Sequence, residues 1–299
     1  MTKIGIVGTG VMGSQIATLF CFYGYPVVML KANQDDDFLS DRLKGLLKLY
    51  GRKFGNSQSV APSLIEKIEI TTDVNDLRDC SVVVEAVVED LAVKQAVFKQ
   101  LDLVCDKSAV LATNTSSLSI DLIAQSTARP ESVIGLHFFN PILEVDLVEV
   151  LYGSSTSEST IKTGEALVQS IKKIPMIFSA SCVNRILIPL INEACLVLSS
   201  GMANEKDIDQ SMKLGAKHPI GPFALADLIG IDIVIAILES LKEKYGSRYE
   251  PSPLLYQLRD QGHLGRKTGK GFFPYGKLER KSSLPSPQEP YRNVVKSPV

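Results

Sequence analysis

His137 and Glu149 are the pair of side chains in this sequence best suited to move a proton. They stand on two apolar runs, Gly135-Leu136-His137-Phe138-Phe139-Asn140-Pro141 and Leu147-Val148-Glu149-Val150, joined by Pro141 to Asp146. If the runs are antiparallel strands with a turn centred near Leu143, His137 lies opposite Glu149, and directly opposed residues share a face of the sheet. A carboxylate there accepts the imidazole Nδ1–H, which fixes the tautomer and leaves Nε2 able to take a proton. That is a general base with its orienting group. The same two residues also describe a core histidine satisfied by a buried acid, and this stretch alone does not choose between them.

The elements that would position such a pair begin at the first residues. Lys3-Ile4-Gly5-Ile6-Val7 is a β-type run, followed at once by Gly8-Thr9-Gly10-Val11-Met12-Gly13 and a helical pattern through Ile16, Leu19 and Phe20. Glycines at that spacing, between strand and helix, allow a tight turn, approach of backbone to a pyrophosphate and close helix–strand packing, with helix N–H groups facing the phosphates. A dinucleotide cofactor is the ligand this predicts, with Gly8, Gly10, Val11, Met12 and Gly13 in contact with it. The second strand, Pro26 to Leu30, should end in an acid that binds the ribose hydroxyls of NAD. Lys31 stands there instead. A lysine cannot accept from a 2′-hydroxyl but pairs with a 2′-phosphate, so NADP competes with NAD as the cofactor. The alternative is that Lys31 faces solvent and Asn33 or Gln34 meets the ribose.

Asp35-Asp36-Asp37 suits a helix N-terminus, and Leu39, Leu43, Leu46, Leu47 and Tyr50 follow at helical spacing, with Lys48, Arg52 and Lys53 on the exposed side. These cations suit a phosphorylated substrate handle, or simply a solvated face. Further strands are expected at Ile68 to Thr72, Ser81 to Val87 and Ala109 to Thr113, with Asp90 capping a helix through Leu91, Val97, Leu101 and Val104. Asn114-Thr115-Ser116-Ser117 places hydroxyls just past a strand's carboxyl end, where open α/β sheets bind ligands, although such residues also cap helices.

After a helix at Ser157 to Lys173 and a strand at Ile174 to Phe178, strand signals give way to helices: Cys182 to Ser200, Glu205 to Leu214, Pro222 to Ile229, Asp232 to Tyr245 and Ser252 to Gln261. The first of these is apolar nearly all round, which predicts burial on most sides, within the chain or against a second copy. The expected organisation is an α/β dinucleotide-binding domain over 1–179, an all-α domain over 180–276 and a mobile proline-containing tail over 277–299.

Bulk properties narrow the classes. A chain of 299 residues with 45% apolar and 22% charged residues holds two cores, and a net charge of -1 gives no global attraction to nucleic acid or anionic membrane. Apolar runs look too short to span a bilayer, no leader peptide is expected ahead of the first strand, and no metal-ligand cluster is evident. The five scattered cysteines, without a C-x-x-C pair, read as reduced thiols of a cytoplasmic protein.

Taken together the motifs resemble the 3-hydroxyacyl-CoA dehydrogenase family. The likeness rests on Gly8 to Gly13, Val84 to Glu89 with Lys94, Asn114 to Ser117, Gly135 to Pro141 with Leu147 to Val150, and Val183-Asn184-Arg185. It continues through Asp207 to Asp209, Met212 to Gly215, Gly221-Pro222-Phe223 and Gly265 to Phe272, covering 3 to 275 in the family's order. The resemblance implies a Rossmann-type doubly wound sheet, followed by a helical domain that carries the dimer, with catalysis in the cleft between domains. It implies that His137 is the base toward a 3-hydroxyl and Glu149 its orienting carboxylate, and that Ser116 and Asn184 hold the substrate. Glu89, Lys94, Asn114, Asn140 and Lys267 would meet the dinucleotide. Three departures stand out: Lys31 for an acid, a shortened Pro175–Asn184 segment without the usual Gly-Phe step, and Asp146 where relatives often have lysine. They raise a short, polar acyl group on acyl carrier protein as an alternative to acyl-CoA. A catalytically inactive, crystallin-like relative and a sugar-acid dehydrogenase are further alternatives. Intact His137, Glu149, Ser116 and Asn184 oppose the first of these, and Phe138-Phe139-Asn140 opposes the second.

Overall fold

The computed structural model describes residues 2–32, 38–54 and 64–276. The expectations for Asn33, Gln34, Asp35 to Asp37 and the tail at 277–299 fall outside them. The described residues form two compact units, 2–180 and 181–276.

The first unit is built on one sheet. Its strands are β1 (Ile4–Val7), β2 (Val27–Leu30), β3 (Ile68–Thr71), β4 (Val82–Glu85), β5 (Val110–Thr113), β6 (Val133–Phe138), β7 (Leu147–Leu151) and β8 (Ile174–Phe178). They lie in the order β3-β2-β1-β4-β5-β6-β7-β8. The first six are mutually parallel, β7 is antiparallel to β6, and β8 is parallel to β7. The unbroken apolar runs follow from this arrangement, because a parallel sheet is covered on both faces. Val82 and Val84 enter one core with Ile4, Ile6 and Leu136, while Val83 enters the other with Val28 and Leu111. The helices are α1 (Val11–Phe22), α2 (Leu39–Lys53), α3 (Leu91–Val104), α4 (Ile120–Ala124) and α5 (Glu158–Ser170). Asp90 caps α3 through Val93 N–H, and Ser157 caps α5 through Thr160 N–H. Chain order reverses between β1 and β4. Because these strands are parallel, the loops after β1, β4, β5 and β6 gather at one edge, and such sheets hold ligands there beside the point of reversal.

The second unit contains α6 (Cys182–Ser199), α7 (Glu205–Gly215), α8 (Pro222–Ile229), α9 (Ile231–Tyr245) and α10 (Pro253–Asp260). Ile188, Ile191 and Cys195 of α6 pack with Phe223, Val234, Leu238 and Leu255. Buried Asn192 fastens α6 to the start of α10, donating to Glu250 O and accepting from Ser252 N–H. Within the chain α6 is not buried on most sides, because Ile186 is 66% and Leu196 46% exposed, which leaves the second half of the expectation, cover by a second copy, open. One expectation about α6 needs correction. At 18 residues it is long and apolar enough, by length and composition, to cross a membrane. The sequence pattern understated it because Arg185 and Glu193 interrupt the apolar run without ending the helix. Those charges and the Asn192 tether suit a bundle helix.

Candidate active site

β6 and β7 pair in the expected register, with His137 opposite Glu149. His137 Nδ1 lies 2.8 Å from Glu149 Oε2, the imidazole is 5% exposed and the carboxylate is fully buried. A buried carboxylate that close fixes the ring with Nδ1–H donating, which makes Nε2 the proton acceptor. Phe139 packs on the imidazole with ring centroids 4.3 Å apart, which limits its rotation.

The loop joining the two strands is held at several points. Lys173 Nζ donates to Ile142 O and Val145 O at 2.8 Å and pairs with Asp146 at 3.3 Å, and Lys53 reaches Leu143 O. Asp146, noted as a departure in sequence, is thus partner to a buried lysine. Burial pushes the Lys173 ammonium below its ordinary range, against the opposing pull of Asp146.

The glycine turn occupies the same sheet edge. A Cβ on Gly13 would meet Gly8 O at 2.0 Å, so only glycine permits α1 to pack this close to β1. A Cβ on Gly10 would meet nothing within 4 Å, which leaves open space in front of the helix. The first turn of α1 holds no acidic residue, and its N-cap, Gly10, offers no side chain to occupy the free N–H groups. That donor set fits a dinucleotide pyrophosphate. Val11 opens α1 and is exposed, Met12 packs toward the core, and Lys31 follows β2 directly. Arg42 of α2 donates to Thr9 O at 2.6 Å and steadies the turn.

Around the next two loops the charges are arranged more tightly than sequence reading foresaw. Glu85, fully buried at the end of β4, accepts from Lys94 Nζ at 2.7 and 2.9 Å, from Thr113 Oγ1 at 2.7 Å and from Val87 N–H at 2.6 Å. Lys94 is 1% exposed and lies 3.4 Å from Glu89. The ammonium is enclosed between two carboxylates and reaches the sheet edge through Glu89. Glu89 Oε1 in turn accepts from Thr115 Oγ1 at 2.6 Å, Ser116 N–H at 2.9 Å and Ser117 Oγ at 3.1 Å, which shapes the hydroxyl loop. Desolvation raises the Glu89 carboxyl, but Lys94 and these donors outweigh it and hold it below its usual range. Asn114 Oδ1 accepts from Phe138 N–H at 2.9 Å, tying that loop to the residue beside His137. Asn140 lies two residues further on, exposed at the same edge.

Two expected site residues belong to the second unit. Asn184 sits in the first turn of α6, its backbone N–H capped by Ser181 Oγ at 3.3 Å. Lys267 pairs with Asp232 at 2.6 Å. Glu85 and Gln15, which the sequence reading passed over, are structural members of the first unit's edge. Glu85 stands inside the apolar run Ser81 to Val87 that the sequence reads as a strand, and nothing in the spacing of Gln15 marks it.

Residues 3–181 match the model for the NAD-binding domain of 3-hydroxyacyl-CoA dehydrogenase, and residues 182–275 match the model for that family's C-terminal domain. The chain belongs to the 3-hydroxyacyl-CoA dehydrogenase family. Within the family it is 44% identical over 281 residues to a 3-hydroxybutyryl-CoA dehydrogenase of Clostridioides difficile, covering 92% of this chain and 100% of that one. It is 36% identical over 290 residues to human mitochondrial hydroxyacyl-coenzyme A dehydrogenase, covering 91% and 90% respectively. Among solved structures, (S)-3-hydroxybutyryl-CoA dehydrogenase from Ralstonia eutropha superposes with a TM-score of 0.88 at 38% identity, covering 93% of this chain and 100% of the other. An oxidoreductase family with an NAD-binding Rossmann domain accounts for the glycine turn and the sheet order described above.

Proposed function

We propose that this protein interconverts a 3-hydroxyacyl thioester and its 3-oxo form, with His137 as the acid–base group. The observation that carries the reading is the buried His137–Glu149 pair, 2.8 Å apart, at the sheet edge that also holds the glycine turn. In the oxidative direction, Nε2 of His137 takes the 3-hydroxyl proton. A bound NAD or NADP supplies the hydride acceptor. Glu149 keeps the imidazole in the required tautomer and offsets the positive charge it gains. In reverse, the imidazolium returns the proton to the ketone oxygen. Ser116, on the loop shaped by Glu89, and Asn184, at the start of α6, are assigned to the substrate. The turn residues Gly8, Gly10, Val11, Met12 and Gly13, with Lys31, Glu89, Asn114, Asn140 and Lys267, are assigned to the dinucleotide, and Lys94 supports them from beneath Glu89.

The relatives' names point to an acyl-CoA substrate, with the 3-hydroxybutyryl group as the first to try. Asp146 and the shortened Pro175–Asn184 segment make an acyl-carrier-protein thioester the second. We assign the protein to the cytoplasm, in keeping with four buried thiols, of which burial raises Cys80 and Cys195 to about 12.

The deciding assay follows NADH and NADPH oxidation with acetoacetyl-CoA, acetoacetyl carrier protein and a keto sugar acid in parallel. Turnover with an acetoacetyl thioester, lost by a factor of about 10²–10⁴ in His137→Ala while NADH binding persists, is expected. Near-normal turnover in that variant would falsify the assignment. Inactivity toward all three substrates would favour a protein that keeps the fold without the chemistry.

A further inference from the structure

Gln15 lies on α1, two residues past the last glycine of the dinucleotide turn, and its side chain is buried. Its amide reaches the segment that follows His137. Nε2 donates to Asn140 Oδ1 at 3.0 Å, and Oε1 accepts from the Ile142 N–H at 3.0 Å. The polarity of this chain is dictated from one end. A backbone N–H can only donate, so the Gln15 atom facing Ile142 must be the carbonyl oxygen. The planar amide then turns its NH₂ toward Asn140, and an NH₂ needs an acceptor. Asn140 must therefore direct Oδ1 inward and Nδ2 outward.

We infer that Gln15 is a positioning residue that locks the Asn140 amide with its N–H donors facing out of the sheet edge, so that Asn140 selects an oxygen acceptor of the dinucleotide. This rests on the assignment of Asn140 as a dinucleotide contact. An asparagine without such a partner flips freely and offers donor or acceptor alike. Fixing one orientation before binding removes that cost from association. The same link joins the helix behind the phosphate turn to the residues that follow the catalytic histidine, so both halves of the cofactor site share one hydrogen-bonded chain.

The test compares reduced-dinucleotide binding in the intact protein, its Gln15→Glu and Gln15→Met variants, and Asn140→Ala. The readout is the fluorescence of NADH and NADPH, in a chain that has no tryptophan. Thermal melting checks that each variant is folded. In Gln15→Glu one carboxylate oxygen still accepts from Ile142, but the other can only accept from Asn140 and so turns that amide round. The dissociation constant for the preferred dinucleotide should rise about ten-fold, equivalent to about 1.4 kcal/mol, and the effect should fall on the dinucleotide KM more than on kcat. Gln15→Met, which frees the amide without reversing it, should give a smaller rise. Unchanged affinity in folded Gln15→Glu, with weakened binding in Asn140→Ala, overturns the lock alone. Unchanged affinity in Asn140→Ala overturns the contact assignment and the lock with it. If Gln15→Glu does not fold, the wild-type side-chain NH₂ resonances of Asn140, identified by their loss in Asn140→Ala, decide. They should shift on adding dinucleotide, and an unmoved pair overturns the inference.

Discussion

Lys31 follows the last residue of β2, and its backbone N–H donates to Thr71 O at 2.9 Å, which fixes where the side chain leaves the sheet edge. In a doubly wound sheet this is the position that meets the ribose farther from the nicotinamide, and its charge decides between hydroxyl and phosphate. An ammonium gains a charge-assisted hydrogen bond from a 2′-phosphate and nothing comparable from a 2′-hydroxyl. Such a bond contributes about 1.5–3 kcal/mol, or roughly 10- to 100-fold in affinity. Lys31→Asp should therefore shift the ratio of kcat/KM for NADPH over NADH downward by at least about ten-fold. Steady-state kinetics with both cofactors on the purified variant checks this, and a ratio that does not move removes Lys31 from cofactor choice.

At the scale of elements, two buried carboxylates tie together residues that stand far apart along the second unit. Asp209 of α7 accepts from Phe223 N–H at 2.8 Å and Ala224 N–H at 3.0 Å, so one helix caps the next, and a Cβ on Gly221 would collide with it. Asp227 of α8 accepts from Phe272 and Phe273 N–H at 2.8 and 2.9 Å, and a Cβ on Gly271 would sit 1.8 Å from its Oδ1. Asp209→Ala leaves two N–H groups of α8 unpaired in a buried site. It should lower stability by about 2–3 kcal/mol, read as a lower urea midpoint at unchanged slope. Asp209→Asn, which can keep one bond, should lose about half as much. A midpoint within error of wild type for Asp209→Ala would exclude the cap. The same scale shows what the sequence could and could not disclose. The β6–β7 register was readable because both strands are apolar and the connecting turn has one natural centre, which placed His137 opposite Glu149. The glycine turn was readable because strand, glycines and helix are contiguous. The Gln15–Asn140 link spans 125 residues, and no periodicity connects its ends. The enclosure of Lys94 depended on Glu85, an acid inside an otherwise apolar strand, whose partners come from α3, β5 and the loop after β4.

For the whole molecule, the exposed apolar side chains of the second unit pose the main question. Ile186 and Leu196 on α6, Met202 just beyond it and Leu214 on α7 are all substantially exposed in the single chain. Large apolar side chains left exposed in such number on one small helical unit are the kind that a partner covers. A second copy of the chain would suit them, since α6 already forms part of the unit's core and a two-fold contact would bury its outer side by the same packing. Burying each such side chain contributes roughly 1.5–3 kcal/mol, enough that a few of them, duplicated by symmetry, sustain association at micromolar concentration. Sedimentation should give a species of about twice the 32.6 kDa chain mass. Ile186→Asp with Leu196→Asp should shift it toward monomer while far-UV dichroism stays native, because both side chains face solvent in the isolated chain and their replacement costs the fold little. A wild-type monomer at all concentrations, or a dimer indifferent to both charges, would show that these residues are covered by something other than a second copy.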